Sequence, residues 1–287
     1  MKIDFGVDII YIINLKKHKT RKNNIVKLLE KYEITNYEFI EAEEGFHLPP
    51  TQELMSKGIL NDYFVDPNGM ITKNIIACAM SHRMAYEAFL KTNYKTCLIL
   101  EDDVKFSNRI FEYILDGRFK QIKRDIIKHD IGIFHWGKQQ LDKITGARDI
   151  EGSPMKIFPR NNSPQSAQAY QLNRWTAQYL FDNCYPIKMA ADVYLDAAKV
   201  KINCPEHSLI IQHNGPIREE YLEGLTEALW TKYSNKEYES STTDELHGGQ
   251  KTCFISGKLD VDRVSFRNYK TDDGAVLRRQ PIIYFKK

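Results

Sequence analysis

The chain has neither a long apolar stretch nor an excess of charge of one sign. No segment contains the roughly eighteen apolar residues that a membrane-spanning helix needs, and the N-terminal residues lack the apolar core of a secretory signal. The 41 basic and 38 acidic residues give a net charge of +3 and are spread along the whole chain. This balance argues against nucleic acid or an anionic membrane as the main partner. We expect a cytoplasmic protein that acts on a small polar substrate.

Cysteine is also scarce. The cysteines are odd in number, widely spaced and mostly set in apolar runs, which fits reduced thiols better than a disulfide framework or a zinc site. The five residues are Cys78, Cys97, Cys184, Cys204 and Cys253. Because cysteine is among the residues most often buried, we predict that they are reduced thiols of the core.

The most informative feature that is present is an acidic triplet, Glu101-Asp102-Asp103. It follows the apolar run 97–100 directly, which places three carboxylates at the tip of a buried strand. Adjacent carboxylates repel one another and need a cation or strong donors, so the triplet is typical of a site for Mn²⁺ or Mg²⁺. The alternative is a solvated turn whose carboxylates face water or cap a following helix.

The N-terminal segment predicts a β-α-β unit. Residues 7–14 form a β-branched run of the kind found in strands that are covered on both faces. After Thr20, a suitable N-cap, apolar residues repeat at helical spacing while lysines fill the other face. Residues 37–42 then alternate as a second strand, closed by Gly45. Such a unit opens many α/β domains.

The following segments continue this α/β pattern. A helix at 75–91 leads into the strand that ends at Glu101, so the triplet is expected at the carboxyl end of a central strand, where open α/β sheets bind ligands. Residues 146–164 are rich in Gly, Pro, Asn and Ser and predict a loop. The other predicted elements are a short helix at 51–57, helices at 110–127 and 174–182, and strands at 131–135, 168–172 and 208–212.

The domain organisation predicted from these patterns is one α/β domain over residues 1–234 and a C-terminal extension over 235–287. The extension is polar at first and then shows two weak strand patterns, at 261–266 and 281–285. An accessory hairpin, an oligomer contact such as that of a homodimer, and partial disorder all fit this composition.

Four blocks of the chain resemble glycosyltransferase family 25, which includes bacterial lipooligosaccharide galactosyltransferases and collagen hydroxylysine galactosyltransferases. The blocks keep the order and spacing of the family, and in the second block an alanine replaces the usual first glycine. They are INLKKHKTR at 13–21 with the turn AEEG at 42–45, ACAMSH at 77–82 preceded by TK at 72–73, LEDDV at 100–104, and AY at 169–170 followed by ADVY at 191–194. The resemblance covers about residues 8–215.

The resemblance implies a GT-A-like fold, that is, a Rossmann-like mixed and mainly parallel sheet flanked by helices. It also implies a nucleotide-sugar donor, a divalent metal and inversion at the anomeric carbon. The expected reaction moves a hexose, with galactose from UDP-galactose as the first choice, to a hydroxyl of a glycan or glycosylated protein. UDP-glucose and UDP-N-acetylglucosamine are the alternative donors.

The same resemblance assigns roles at the metal site. Asp103 and Glu101 are expected to bind Mn²⁺ or Mg²⁺, and Asp102 to contact the ribose or sugar of the donor. His213 matches a late histidine that completes the metal shell, although a turn histidine held by its neighbours is the alternative. His82 either belongs to the helix core or orients Asp103 through a hydrogen bond.

Asp192 matches the position of a general base in the family pattern. An inverting transfer needs one base that takes the proton of the acceptor hydroxyl. The alternative is that Asp192 caps the next helix.

Several residues are expected on the donor side. The basic run that begins at Lys16 could also be no more than a solvated helix start. The donor-binding residues implied by the resemblance are Asn14, Arg21, Ala42, Glu43, Lys73 and Ser81. Tyr170 and Trp136 could stack on sugar rings, although such aromatics are more often core residues.

Two other classes of function remain open. A metal-dependent hydrolase of nucleotide diphosphates would also use clustered carboxylates. A catalytically silent relative would bind glycans or partners without turnover. The sequence argues against a silent relative, because every expected active-site group is present, namely Glu101, Asp103, Asp192 and His213.

Overall fold

The structure is a computed structural model that describes residues 2–65, 72–137, 147–157 and 166–212, together with the backbone of two strands near the C-terminus. The chain divides into two compact units. The first takes the described residues within Met1–Ala42, Ser81–Phe181 and Asp192–Tyr238, and the second takes those within Glu43–Met80, Asp182–Ala191 and Glu239–Lys287.

Strands and helices alternate through most of the described chain. The strands are β1 (Ile9–Asn14), β2 (Tyr37–Glu41), β3 (Leu60–Val65), β4 (Thr96–Glu101), β5 (Val104–Phe106), β6 (Ile133–His135), β7 (Arg148–Asp149), β8 (Met155–Ile157), β9 (Ala169–Asn173), β10 (Ile187–Met189), β11 (Ile202–Pro205), β12 (Ile210–Gln212), β13 (Lys258–Lys270) and β14 (Val276–Lys286). The helices are α1 (Lys19–Lys31), α2 (Thr51–Ser56), α3 (Lys73–Leu90), α4 (Asn108–Leu115), α5 (Arg118–Lys128), α6 (Arg174–Asn183) and α7 (Ala191–Ala197), and Gly45–His47 form a 3-10 turn.

The first unit is built on a mixed sheet with the strand order β2-β1-β4-β9-β6-β11-β8-β7. Strand β1 is parallel to β2 and β4, and β6 is parallel to β11. Only β9 and β8 run against the direction that the other strands of this sheet share. The predicted fold class, a mixed and mainly parallel α/β sheet, is confirmed.

The central strands β1 and β4 are buried on both faces, as their unbroken apolar sequences predicted. On one face, Ile10, Ile12, Leu98 and Leu100 join a core cluster with side chains of α1, α4 and α5. The alternate residues Tyr11 and Ile99 are equally buried but point to the opposite face. Both faces of the two strands that lead into the acidic triplet are therefore covered, one of them by α1, α4 and α5.

The strand order reverses between β1 and β4. From β1 the chain moves outward to β2 and then returns to β4 on the other side of β1. Ile13 stands opposite Glu101 in the parallel ladder, so the two strands end side by side. Open α/β sheets bind ligands at the carboxyl ends of strands at such a switch point. The position predicted for the triplet is confirmed.

The second unit contains a parallel pair, β3 with β10, and a small core formed with α2 and the start of α3. The 3-10 turn begins at Gly45, where a Cβ atom would lie 2.6 Å from the backbone nitrogen of Asn74. Glycine at this position thus lets the turn contact α3. Strands β13 and β14 pair in an antiparallel ladder, so the two strand patterns predicted in the C-terminal extension are confirmed.

Two predicted helix boundaries are wrong. Helix α1 begins at Lys19, so Thr20 lies inside it and is not its N-cap. A turn closed by a hydrogen bond from the backbone N–H of His18 to the carbonyl of Leu15 directly precedes the helix. The helix predicted over 110–127 is two helices, α4 and α5. They are separated by Gly117, whose φ of 85° belongs to the left-handed region that a right-handed helix cannot continue through.

The loop predicted at 146–164 contains two short strands, β7 and β8, which extend the sheet beyond β11. Strands of two or three residues are too short to show apolar alternation, and only Met155 among them is buried. The strands β3, β5, β10 and β11 were likewise not predicted.

The described cysteines are thiols, and Cys97, Cys184 and Cys204 are buried, as the sequence predicted, whereas Cys78 is only partly buried. Burial raises the pKa of the Cys97 thiol. Cys253 lies outside the described residues. Within the described part of the chain, none of the helices has the length and apolarity that crossing a membrane would require.

Candidate active site

The acidic triplet lies at the end of β4 and in the turn that joins it to β5. Glu101 is the last residue of β4, and Asp102 and Asp103 make the turn. The side chains of Glu101, Asp102 and Asp103 are 24%, 8% and 12% exposed, respectively. The alternative of a solvated turn is therefore wrong for the two aspartates, because their carboxylates are largely withdrawn from water.

Asp102 is held by two donors, Asn14 at the end of β1 and Arg21 on α1. Asn14 Nδ2 donates to Asp102 Oδ2 at 2.7 Å, and an Arg21 guanidinium nitrogen donates to Asp102 Oδ1 at 3.2 Å. Both donor residues are buried. Burial raises the pKa of Asp102, while the charge of Arg21 and the hydrogen bond from Asn14 oppose that rise. Asp102 thus joins the end of β1, helix α1 and the end of β4.

Asp103 is the least satisfied carboxylate of the triplet. Its Oδ1 is buried and accepts no hydrogen bond within the part of the chain that the structure describes. Arg21 lies 3.6 Å from the other oxygen. Burial and the neighbouring charge of Glu101 raise the pKa of Asp103 to about 7, although Arg21 opposes this. A bound cation would reverse this effect, since it favours the ionised carboxylate.

Glu101 contacts a different pair of side chains. Its Oε2 accepts a hydrogen bond of 3.0 Å from Gln212 Nε2, and its Oε1 lies 3.5 Å from His82 Nε2. His82 therefore faces Glu101 and not Asp103, the residue that the sequence predicted as its partner. Helix α3 carries His82, and β12 carries Gln212.

Gln212 is positioned by the close approach of β12 to β5 and to the backbone at Trp136. Strand β12 pairs with β5, and the backbone N–H groups of Leu209 and Ile210 both bond to the carbonyl of Trp136. A Cβ atom at Gly137 would overlap the carbonyl of Ile210, so only glycine leaves room for this crossing. The register of β5 with β12 then sets Gln212 opposite Val104, next to the triplet.

Tyr170 and Trp136 are both fully buried, so the idea that they stack on sugar rings is wrong. Trp136 Nε1 donates to Gln171 Oε1 at 3.2 Å, and its ring packs against Phe5 and Phe134. Both aromatics belong to the interior of the sheet.

Asp192 is the second residue of α7 and is partly exposed. It lies inside the helix and does not precede it, so it does not occupy the N-cap position that was the alternative assignment. Its Oδ1 accepts a hydrogen bond of 2.8 Å from the backbone N–H of Val193. Within the first turn of a helix, the positive end of the helix dipole stabilises the ionised carboxylate.

The other predicted donor-side residues are divided between the two units. Ala42 donates its backbone N–H to the carbonyl of Asn14 at 2.9 Å, and Ser81 is buried in α3. Glu43 and Lys73 belong to the second unit, where Lys73 Nζ donates to the carbonyl of Leu48 at 3.3 Å. His213 lies outside the described residues.

The sequence did not indicate Gln212 as a neighbour of the site, and it gave Tyr170 a different role, that of stacking on a sugar ring. Gln212 contacts Glu101 because β5 and β12 pair. A strand at 208–212 was predicted, but the three residues of β5 show no periodic pattern that would reveal its partner. Tyr170 stands in a strand that was predicted, but its partners lie on α3. No signal in the sequence pairs those two elements.

The sequence comparisons agree with this architecture. The sequence model of glycosyltransferase family 25, described as an LPS biosynthesis protein, matches residues 7–195. That range includes every predicted site residue except His213. The sheet and the match together define a glycosyltransferase. More specifically, because the match covers well over half of the chain, the protein belongs to glycosyltransferase family 25.

Three curated relatives show how far the likeness extends. A protein of Acanthamoeba polyphaga mimivirus that is named as a glycosyltransferase is 31% identical over 178 residues, or 60% of this chain and 52% of that protein. Human procollagen galactosyltransferase 2 is 29% identical over 109 residues, or 36% of this chain and 17% of that protein. The human inactive glycosyltransferase 25 family member 3 is 23% identical over 154 residues, or 51% of this chain and 25% of that protein. The chain thus spans about half the length of the viral relative and less of the human ones.

Proposed function

We propose that the chain is a metal-dependent inverting glycosyltransferase that transfers galactose from UDP-galactose to a hydroxyl of a glycan or glycosylated protein. The observation that carries this proposal is the Asp103 carboxylate, which is buried beside Glu101 with one oxygen that accepts no hydrogen bond among the described residues. Membership of the family supports the transfer of a sugar, and the names of the procollagen galactosyltransferases support galactose.

The residues of the triplet fit a hard divalent cation. Arg21 supplies one positive charge to a cluster of three carboxylates, which leaves the cluster in need of a further cation. Carboxylate oxygens are the ligands that Mg²⁺ and Mn²⁺ prefer. Asp103 and Glu101 would hold the ion. When bound, it would stabilise the negative charge of the diphosphate leaving group.

His213 is proposed as a further ligand of the ion. Strand β12 ends at Gln212, whose side chain donates to Glu101, and His213 is the next residue of the chain. The contact of its sequence neighbour Gln212 with Glu101 supports this assignment.

On the donor side, we propose that Asp102 acts through the residues it holds. Its carboxylate fixes the side chains of Asn14 and Arg21 at the switch point of the sheet. A guanidinium whose plane is fixed in this way matches the geometry of a phosphate. Glu43, Lys73, Ser81 and the backbone at Ala42 are proposed as the remaining contacts of the UDP-sugar.

Asp192 is proposed as the general base. It is partly exposed, so that an acceptor hydroxyl can reach it, and the helix terminus favours its ionised form. In an inverting transfer this carboxylate takes the proton of the acceptor hydroxyl while the oxygen attacks the anomeric carbon from the side opposite the diphosphate.

The decisive experiment measures UDP release from UDP-galactose, UDP-glucose and UDP-N-acetylglucosamine with Mn²⁺, with and without a glycan acceptor. Acceptor-dependent release that is greatest for UDP-galactose is expected, and Asp103→Ala should abolish both release and Mn²⁺-dependent binding of UDP. Release that does not need an acceptor would indicate a hydrolase instead. Binding of UDP without release from any donor would indicate a silent relative, and full activity of Asp103→Ala would rule out the proposed metal site.

A further inference from the structure

We propose that Tyr170 and His82 are positioning residues for Glu101, and that a hydrogen-bond chain from Tyr86 through Tyr170 and His82 sets the orientation in which Glu101 meets the cation. The inference rests on the proposed function, because it takes Glu101 to be a metal ligand. It gives a role to three buried polar side chains that take no direct part in the transfer reaction.

Three fully buried side chains form this series of hydrogen bonds. Tyr170 Oη lies 2.7 Å from His82 Nδ1 and 3.0 Å from Tyr86 Oη. The rings of His82 and Tyr170 stack with centroids 5.7 Å apart and planes inclined by 30°. All three residues are at most 2% exposed. Bulk water therefore does not compete for these hydrogen bonds.

Regular secondary structure holds the chain in place. In the antiparallel ladder of β4 with β9, Tyr170 stands opposite Ile99. Ile99 and Glu101 lie two residues apart on β4, so their side chains share one face of the sheet with Tyr170. Helix α3 provides His82 and Tyr86, four residues apart on one side of the helix. The relative positions of Glu101, His82 and Tyr170 are thus set by rigid elements.

The direction of the protons follows from the chemistry of a neutral imidazole. One ring nitrogen carries a proton and the other accepts. If Tyr170 donates to Nδ1, the proton is on Nε2, which faces Glu101 Oε1 at 3.5 Å. The reverse direction would turn an Nε2 lone pair toward a carboxylate, which is repulsive. Burial raises the pKa of Tyr170 well above its ordinary value, so Tyr170 keeps the proton that it donates.

The last group of this hydrogen-bond series, His82 Nε2, is a donor that faces the proposed metal ligand Glu101 without a hydrogen bond to it. His82 Nε2 is buried and makes no hydrogen bond within the described residues, since the 3.5 Å to Glu101 is too long for one. A buried donor without an acceptor is unfavourable, so it favours a Glu101 rotamer that approaches it. Gln212 holds the other carboxylate oxygen at 3.0 Å. Glu101 is thereby restrained from two sides.

The test removes one hydroxyl and keeps the ring. In the full chain with UDP present, Tyr170→Phe should weaken Mn²⁺ binding by about 10- to 100-fold in a calorimetric titration, the usual effect of losing a group that orients a ligand. Tyr113→Phe is the matched control, because buried Tyr113 makes a similar bond of 3.2 Å to His207 Nδ1 in the same unit, outside the proposed series of hydrogen bonds. It should bind Mn²⁺ as the wild type does.

A second pair of variants keeps the test decisive if Tyr170→Phe folds poorly. His82→Gln retains an amide N–H that can face Glu101, so it should bind Mn²⁺ more tightly than His82→Ala. Equal affinities of Tyr170→Phe and Tyr113→Phe, or of His82→Gln and His82→Ala, would overturn the inference. Failure of Asp103→Ala to weaken Mn²⁺ binding, or no binding by the wild type, would instead overturn the proposed function and this inference with it.

Discussion

Asn14 Nδ2 lies 2.7 Å from Asp102 Oδ2 and so joins the ends of two parallel strands across 88 residues of sequence. The bond connects β1 to the turn after β4 at the point where the strand order of the sheet reverses. Because Arg21 holds the other oxygen of Asp102, the acidic triplet is anchored to the sheet and to α1. The candidate site therefore owes its geometry to the central strands more than to its loop.

The first prediction concerns this bond. Asn14→Ala leaves the largely buried Asp102 carboxylate with one donor fewer, which should lower the free energy of unfolding by about 1–3 kcal/mol. Urea denaturation measures the change. Asn23→Ala is the control, since Asn23 is an exposed residue of α1, and it should cost far less. Equal effects of the two substitutions would mean that the bond contributes little.

The second prediction concerns pH. The pKa of Asp103 in the folded protein is about 7, well above the ordinary value of 3.8 that we expect after unfolding. Between these values the folded state binds one proton more than the unfolded state, so stability falls as pH rises. The metal-free protein should therefore unfold at a lower temperature at pH 8 than at pH 5.5, as measured in EDTA by calorimetry.

Two comparisons isolate the contribution of Asp103 to this pH effect. Asp103→Asn should flatten the dependence on pH, because the amide does not titrate. Mn²⁺ should stabilise the wild type most at the higher pH, where the carboxylate is ionised. An unchanged slope in Asp103→Asn would assign the effect to other groups.

The long apolar strands were predictable from the sequence, and so was the place of the triplet. Residues 9–13 and 97–100 are apolar runs typical of a strand that is covered on both faces, and they lie in two such strands, β1 and β4. A carboxylate cluster at the end of one of them must then lie at the carboxyl edge of the sheet. The buried pair of Arg21 with Asp102 was not predicted, because one basic residue within a lysine-rich segment gives no sign of burial.

The contacts of Glu101 could not be predicted from the sequence for a different reason. Gln212 contacts Glu101 across 111 residues of sequence because β12 pairs with β5. The strand at 208–212 was predicted, but the three residues of β5 are too few to show a period, so its pairing with β12 was not. Similarly, the break between α4 and α5 depends on the φ of Gly117. The apolar pattern continues through that glycine, so periodicity alone predicted one helix.

The third prediction uses the crossing at Gly137. A methyl group there would overlap the carbonyl of Ile210, so Gly137→Ala should displace β12 and with it Gln212. We expect a loss of about 1–3 kcal/mol in stability, as for other overpacked sites, together with weaker Mn²⁺ binding. Gly152→Ala is the control, because its Cβ meets open space at a φ of +71°. It should lose some stability through backbone strain and keep its Mn²⁺ affinity.

The fourth prediction separates catalysis from binding at Asp192. Asp192→Asn keeps the size of the side chain but removes its capacity to accept a proton, so turnover with acceptor should fall by about 100-fold or more. Binding of Mn²⁺ and UDP should stay within twofold of the wild type, because Asp192 is proposed to act on the acceptor alone. Asp116→Asn, an exposed substitution beside Arg118, is the control and should leave turnover unchanged. Turnover of Asp192→Asn near the wild-type rate would remove Asp192 as the base, whereas a parallel loss of UDP binding would assign it to the donor site.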